Sequence, residues 1–239
     1  MSPLVPPRRF DPAIPEIMDR PGNEPRLLRA DLRVLEDVNR FLGGYRIPLL
    51  YLRKLADSRD PSKTLTILDL ATGTADVPRA IVAWARSQRV NVAITAVDGN
   101  PEILRIAREN TADWPEIRVE QQDLLALPYP AASFDMVLCS LALHHFSESD
   151  AVAILRRIHD TARGNWIVND LRRNRIAIGL SKLMAHTIIT NPIARFDAPA
   201  SCERAFTIAE WRAMVARAGM DHFTIRRHRF FRMALVGRK

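Results

Sequence analysis

The segment from Thr64 to Asp76, TLTILDLATGTAD, narrows most what this chain can fold into. A short apolar run, Ile67 and Leu68, ends in the carboxylate of Asp69 and passes at once into small residues. A helical stretch from Val77 to Arg86 comes next, with Asp76 able to cap it and Pro78 acceptable in its first turn. A strand that feeds a helix through a slim turn brings backbone N–H groups and a helix N-terminus against a bound ligand. Gly73 supplies the unusual backbone angles, while Ala71, Thr72, Thr74 and Ala75 keep the turn narrow.

Three more segments downstream repeat the pattern. NVAITAV is a second buried strand that ends at Asp98, a carboxylate placed to suit the two hydroxyls of a ribose. IRVEQQD ends at Asp123, and FDMVLCSLALHHF carries a buried strand from Phe134 to Ser140 into the pair His144 and His145. Acidic residues therefore stand at the C-terminal ends of three successive strands, where open α/β sheets bind ligands. The pattern implies a nucleotide-like ligand.

The series DLATGTAD, AVDGNPEIL, QQDLLALPY and FDMVLCSLALHHF resembles the class I S-adenosylmethionine-dependent methyltransferases, over roughly residues 64–170. It is most similar to the branch of the ubiquinone/menaquinone methyltransferases and related small-molecule enzymes. More loosely, PEIMDRPGNEPRLLRADLRVLEDVNRFLGG resembles the helical segment that precedes this domain in bacterial relatives. The resemblance implies a Rossmann-like seven-stranded mixed sheet with helices on both faces, a C-terminal antiparallel hairpin and an N-terminal helical cap. It implies S-adenosyl-L-methionine as cofactor and a role for each matching residue. Asp69 and the turn of Ala71, Thr72, Gly73 and Thr74 would hold the methionine part. Asp98 would take the ribose, with Gly99 and Asn100 along the adenine. Asp123 would accept from the adenine amino group, Leu124 would pack on the ring, and Ser140 and Leu141 would lie near the sulfonium. The chain departs from the family in having alanine at 71 and 75, where glycine is frequent; neither position is expected to need a positive φ.

Composition excludes several classes. Forty-seven per cent hydrophobic residues in 239 argue for a sizeable folded core. No apolar run approaches the roughly 20 residues that span a bilayer, since Lys182 and His186 interrupt the stretch from Ile176 to Ile189. MSPLVPPRRF lacks the apolar core of a signal peptide, and Cys139 and Cys202 share no metal or redox spacing, so a reducing cytoplasm is expected. The formal charge of +8 raises nucleic acid as a partner, but the arginines are dispersed. The densest run, IRRHRFFR, reads as a solvated strand face in a C-terminal hairpin, and no nucleic-acid module accompanies it.

Residues 1–60 read as a Pro-rich stretch and helical cap, with a helix from Pro25 broken near Gly43 and Gly44 and resumed through Leu55. Residues 61–239 read as the methyltransferase domain. Within it, 171–202 is a lid insertion, helical around Ile176 to Ile189 and broken at Pro192 and Pro199. Its Leu180, Met184, Ile188 and Phe196 suit a hydrophobic substrate, or merely seal the helix onto the sheet. Thr207 and Glu210 form a capping box for the next helix, with Gly219 at its far end.

His144 and His145 are the candidates for acid–base chemistry. A phenol with a pKa near 10 is protonated at neutral pH, so an oxygen nucleophile profits from a base. HHFSESD is similar to the His segment of plant phenolic O-methyltransferases, which places His144 in register with their base; His145 is equally read as making a helix-start hydrogen bond. Asn169 and Asp170 end the strand WIVND where substrate can reach, and Arg172 or Arg173 could meet an anionic group. No clustered carboxylate spacing remains for a metal. The expectation is a methyltransferase, monomeric or homodimeric, acting on a small hydrophobic molecule, by O-methylation of a phenolic or polyketide-like hydroxyl. Its rivals are C-methylation of a quinone precursor, methylation of nucleic acid, and cofactor binding without catalysis.

Overall fold

The computed structural model describes residues 5–238, so the first four residues of the Pro-rich stretch lie outside the described part. Strands β1 (Leu65–Leu70), β2 (Val92–Asp98), β3 (Ile117–Gln121), β4 (Phe134–Ser140), β5 (Ala162–Leu171), β6 (Phe223–Arg227) and β7 (Arg232–Arg238) form one sheet. Its order is β3-β2-β1-β4-β5-β7-β6. The first five strands run parallel, and β7 lies antiparallel to both β5 and β6. This is the expected mixed sheet with its C-terminal hairpin. The order reverses at β1, whose neighbours are β2 on one side and β4 on the other, so a crevice opens at their C-terminal ends.

Strands buried on both faces must be apolar on both, which is why β1 reads as a nearly continuous hydrophobic run. Leu68, Val137, Cys139 and Val168 pack on α5 (Glu148–Thr161) and α8 (Ile208–Arg217). On the other face Ile67, Ile94, Met136 and Ile167 pack on α2 (Arg46–Asp57) and α3 (Asp76–Gln88). α1 (Pro25–Phe41) buries Leu28 and Leu32 against Ile103 and Ile106 of α4 (Pro101–Asn110), and against Ile193. The capping box of Thr207 and Glu210 is formed as expected, and Gly219 has a φ of 74°. Among the described residues, no helix is long and apolar enough to cross a membrane.

Three local expectations are corrected. Pro199 does not break a helix: 171–202 contains α6 (Arg175–Thr187) and the greater part of α7 (Pro192–Arg204), with Pro192 at the start of α7 and Pro199 inside it. Proline removes only one N–H, and packing of α7 against α6 and α1 sustains the helix. Asp76 is the first helical residue of α3 rather than its N-cap, and Ala75 occupies that place in left-handed geometry. The arginine run is not wholly solvated. Arg232 is buried, and its guanidinium donates to Asn39 Oδ1 at 3.0 Å. Asn39 in turn donates to Asp76 Oδ2 at 2.9 Å. Burial lowers the Arg232 pKa to about 10 against the opposing pull of Asp170 and Asp76. The chain of contacts ties the C-terminal hairpin to α1 and α3.

Candidate active site

The turn after β1 is more strained than its sequence suggests. Ala71, Gly73 and Ala75 all have positive φ, at 54°, 57° and 58°. The expectation that the two alanines avoid this region is therefore wrong. Only glycine enters it freely, and an L-residue there costs roughly 1–2 kcal/mol. The geometry turns the chain from strand to helix within a few residues and brings Asp69 and Asp98 to one wall. Thr72 donates its hydroxyl to Asp69 Oδ2 at 2.7 Å, and the Gly73 amide donates to Asp98 Oδ2 at 3.0 Å. Asp98 Oδ1 also accepts from the Asn100 amide at 3.0 Å.

One cavity of about 1690 Å³ opens at this end of the sheet. A drug-sized ligand needs roughly 300–1,000 Å³, so two ligands fit side by side. Its walls include Asp69, Ala71, Thr72, Gly73, Thr74, Asp98, Gly99, Asn100, Asp123, Leu124, Ser140 and Leu141. Every residue expected to touch the cofactor is therefore brought to one place. Asp123 lies two residues beyond β3, and its side chain accepts the Leu125 amide at 2.9 Å. Leu141, with a φ of 55°, donates its N–H to the Asn169 carbonyl at 2.8 Å and ends β4 sharply at the cavity.

The electrostatics of this half select a ligand type. Asp69, Asp98 and Asp123 have hydroxyl or amide partners, and among the described residues none of the three is ion-paired with a basic side chain. Burial raises the Asp69 carboxyl to about 7, with Asp76 and Asp98 adding to the rise and Thr72 opposing it. Asp98 is raised mainly by burial as well. Unpaired carboxylates in an enclosed site favour a ligand that carries a cation and several hydrogen-bond donors. An amino group, a sulfonium, two ribose hydroxyls and an adenine amine meet that demand.

The second half of the cavity is polar at its base and apolar at its mouth. His144 is buried, with Nδ1 2.6 Å from Asp170 Oδ1, while its backbone N–H donates to Asp170 Oδ2 at 3.2 Å. Burial alone would raise the Asp170 pKa, but His144 outweighs it and holds the carboxyl below its ordinary value. His145 Nδ1 lies 2.7 Å from Asp19 Oδ2, and its Nε2 is 3.9 Å from Glu16. Burial would lower the His145 pKa; Glu16 and Asp19 overcome this and lift it to about 9. The helix-start bond is not made by His145, because Ser147 caps α5 instead.

The remaining candidates divide. Arg172 and Met184 line the cavity, as do Leu180 and Ile188, which are exposed rather than sealed against the sheet. Asn169 does not: it is fully buried in β5, outside the cavity walls, with neither side-chain polar atom partnered. Phe196 is not among the walls either. Arg173 is structural, donating to Pro6, Ala205 and Glu210. Sequence reasoning missed Glu16, Asp19, Asp31, Glu36 and Asp197, all of which face the cavity. Glu36 accepts from Thr74 at 2.6 Å and from Arg79 at 2.8 Å, clamping the turn from the α1 side. Their signal is faint, because acidic residues in a cap look solvated until the cap is folded onto the sheet.

A sheet of this order, with acidic strand tips around one cavity, is the fold of class I S-adenosylmethionine-dependent methyltransferases. Residues 67–165 match the family described as methyltransferase domain. The demethylmenaquinone methyltransferase of Deinococcus radiodurans is 41% identical over 83 residues, which are 34% of this chain and 33% of that protein. The chain thus spans about a third of the length of that curated relative. A SAM dependent methyltransferase from Aquifex aeolicus superposes with a TM-score of 0.61 at 14% identity, covering 96% of this chain and 99% of that one. The citrinin polyketide synthase CMeT domain superposes with a TM-score of 0.63 at 14% identity, covering 81% of this chain and 51% of that one. At such identities the two structures speak for the fold.

Proposed function

We propose that this protein transfers a methyl group from S-adenosylmethionine to a hydroxyl of a small hydrophobic molecule. The observation that carries this is the division of one cavity into two chemically distinct halves. Carboxylates without basic partners line one half, and a carboxylate-backed histidine pair under an apolar mouth lines the other. S-adenosylmethionine supplies an electrophilic methyl whose C–S bond breaks as the O–C bond forms, the electron pair returning to sulfur. The chain's own residues position the partners and remove the hydroxyl proton. Asp170 holds the Nδ1 side of His144, which leaves Nε2 as the proton acceptor. Residues 171–202 act as the lid: Leu180, Met184 and Ile188 shield the reaction from water and receive the apolar part of the substrate.

Carbon methylation of a quinone precursor is the second reading, favoured by the name of the Deinococcus relative. Both readings are tested by supplying labelled S-adenosylmethionine with a panel of alkyl-substituted phenols and quinols and locating the label by NMR. Label on oxygen supports the first reading; label on a ring carbon replaces it with the second. A cavity that takes up neither S-adenosylmethionine nor S-adenosylhomocysteine in calorimetry defeats both.

A further inference from the structure

Glu16, His144 and His145 come from distant parts of the chain and meet on the cavity wall. One oxygen of Glu16 and one ring nitrogen from each histidine all lie within 4.8 Å of one another. We infer that these three side chains form a binding site for one divalent transition-metal ion.

Three features separate this cluster from ordinary buried polar groups. Both histidines have Nδ1 committed to a carboxylate, His144 to Asp170 at 2.6 Å and His145 to Asp19 at 2.7 Å. Metal-bound histidines are oriented in this way, with the second nitrogen left for the ion. The Nε2 of His145 stands 3.9 Å from Glu16 Oε2, too far for a hydrogen bond. It is close to the spacing of two ligands on one ion, roughly 3–4 Å when each bond is about 2.0–2.2 Å. Finally, Glu16 is 1% exposed, and its Oε1 makes no hydrogen bond although Arg204 Nη1 is 3.4 Å away.

The surrounding charge favours a cation. Asp31 and Asp197 face the same cavity, and Oδ2 of Asp31 is buried without a hydrogen-bond partner. Arg204 and Arg8 oppose this charge, Arg204 beside Glu16 and Arg8 donating to the His144 carbonyl at 3.1 Å. Two imidazoles and one carboxylate with a position open to a cavity make the donor set of catalytic zinc sites, and imidazole also suits iron, cobalt and nickel. No motif announces the site, because its ligands share no short-range spacing. What the ion does rests on the proposed hydroxyl methylation. With the ion bound, His144 would be a ligand rather than a base, and the metal would supply Lewis acidity to a substrate hydroxyl; the metal-free protein would rely on the imidazole. Binding of the ion does not rest on that reading.

The test is a Co²⁺ titration of the chelator-treated protein, followed by visible absorption and by metal analysis after dialysis. One Co²⁺ per chain with intense d–d bands, displaced by Zn²⁺, is the expected result. Glu16→Gln and His145→Gln should weaken binding by at least tenfold, and Asp170→Asn by about 10–100-fold through the orientation of His144. His186→Gln, on the exposed face of α6, should leave it unchanged. A wild-type protein that retains neither Co²⁺ nor Zn²⁺ overturns the inference, as does unaltered affinity in the folded Glu16→Gln variant. Metal binding without methyl transfer would sink the functional reading alone, and methyl transfer without metal binding would sink this site alone.

Discussion

Asp98 Oδ2 accepts the amide of Gly73 at 3.0 Å, so the tip of β2 and the turn after β1 are joined before any ligand arrives. The same carboxylate presents lone pairs to the cavity, since each oxygen can accept more than one bond. Asp98→Asn keeps the shape but turns one acceptor into a donor and removes the charge. Hydrogen bonds to a charged group contribute about 1.5–3 kcal/mol each. Calorimetry with S-adenosylhomocysteine should therefore show Kd rising by roughly tenfold to a hundredfold, with a lower melting temperature as well, because the new NH2 must face the N–H of either Gly73 or Asn100.

On the proposed reading, Asp69 should make cofactor binding depend on pH. Burial raises its carboxyl to about 7, so in the empty cavity it is largely neutral below that pH. A ligand bearing a cation prefers the carboxylate, and affinity should rise with pH through 7. The ionised fraction grows about tenfold between pH 6 and pH 8, and Kd should fall by a similar factor. The sign for stability is opposite. A folded-state pKa raised above the unfolded value stabilises the free protein at low pH and loses that stabilisation as pH rises from the unfolded value through 7. In Asp69→Asn both dependences should flatten; a wild-type Kd constant from pH 6 to pH 8 would contradict this account.

The alanines of the turn make a second kind of prediction. Ala75 is buried with a φ of 58°. Glycine there would relieve about 1–2 kcal/mol of left-handed strain and give back about 0.4–1 kcal/mol of unfolded-state entropy. Loss of the buried methyl costs about 0.8 kcal/mol more, so Ala75→Gly should leave the melting temperature within about 2 °C of the wild type, whereas Ala→Gly changes inside helices usually lower it. Calorimetric unfolding decides it.

How much of the site can be read from sequence depends on the range of each signal. The strand tips at Asp69 and Asp98 are legible because a strand, a small-residue turn and a helix are consecutive, and local chemistry fixes them. The positive φ of Ala71 and Ala75 is not, since alanine carries no sign of a conformation that tertiary packing imposes. Asn169 is misplaced for a related reason: a strand end fixes depth in the sheet, but the pleat decides which neighbour meets the cavity. Glu16, Asp19 and Asp31 acquire their surroundings only when the cap folds over the strand ends. No periodicity announces a contact between residue 19 and residue 145.

Gly237 has a structural reason that the sequence also conceals. A Cβ built on it would stand 1.8 Å from Cζ2 of Trp166 on the paired strand β5. Trp166 is fully buried and cannot swing away without opening the sheet. Gly237→Ala should cost about 1–3 kcal/mol through overpacking. Trp166→Phe combined with it should recover part of the loss, measured as the coupling in a double-mutant cycle of urea unfolding.

Asp170 positions His144 through both its ring and its backbone, so its removal tests the catalytic arrangement rather than mere charge. Asp170→Asn can still accept the backbone N–H, but an amide does not hold the Nδ1–H tautomer as a carboxylate does. Loss of a positioned base costs about 10²–10⁴-fold in rate, and the variant should lose at least the lower figure in kcat. KM for S-adenosylmethionine should move little, because the carboxylates proposed to hold it belong to β1, β2 and the loop after β3. A matched loss in both parameters would instead mean that Asp170 only supports the fold, and thermal unfolding would then report a destabilisation of about 1.5–3 kcal/mol, as weakening a buried hydrogen bond to a charged group does.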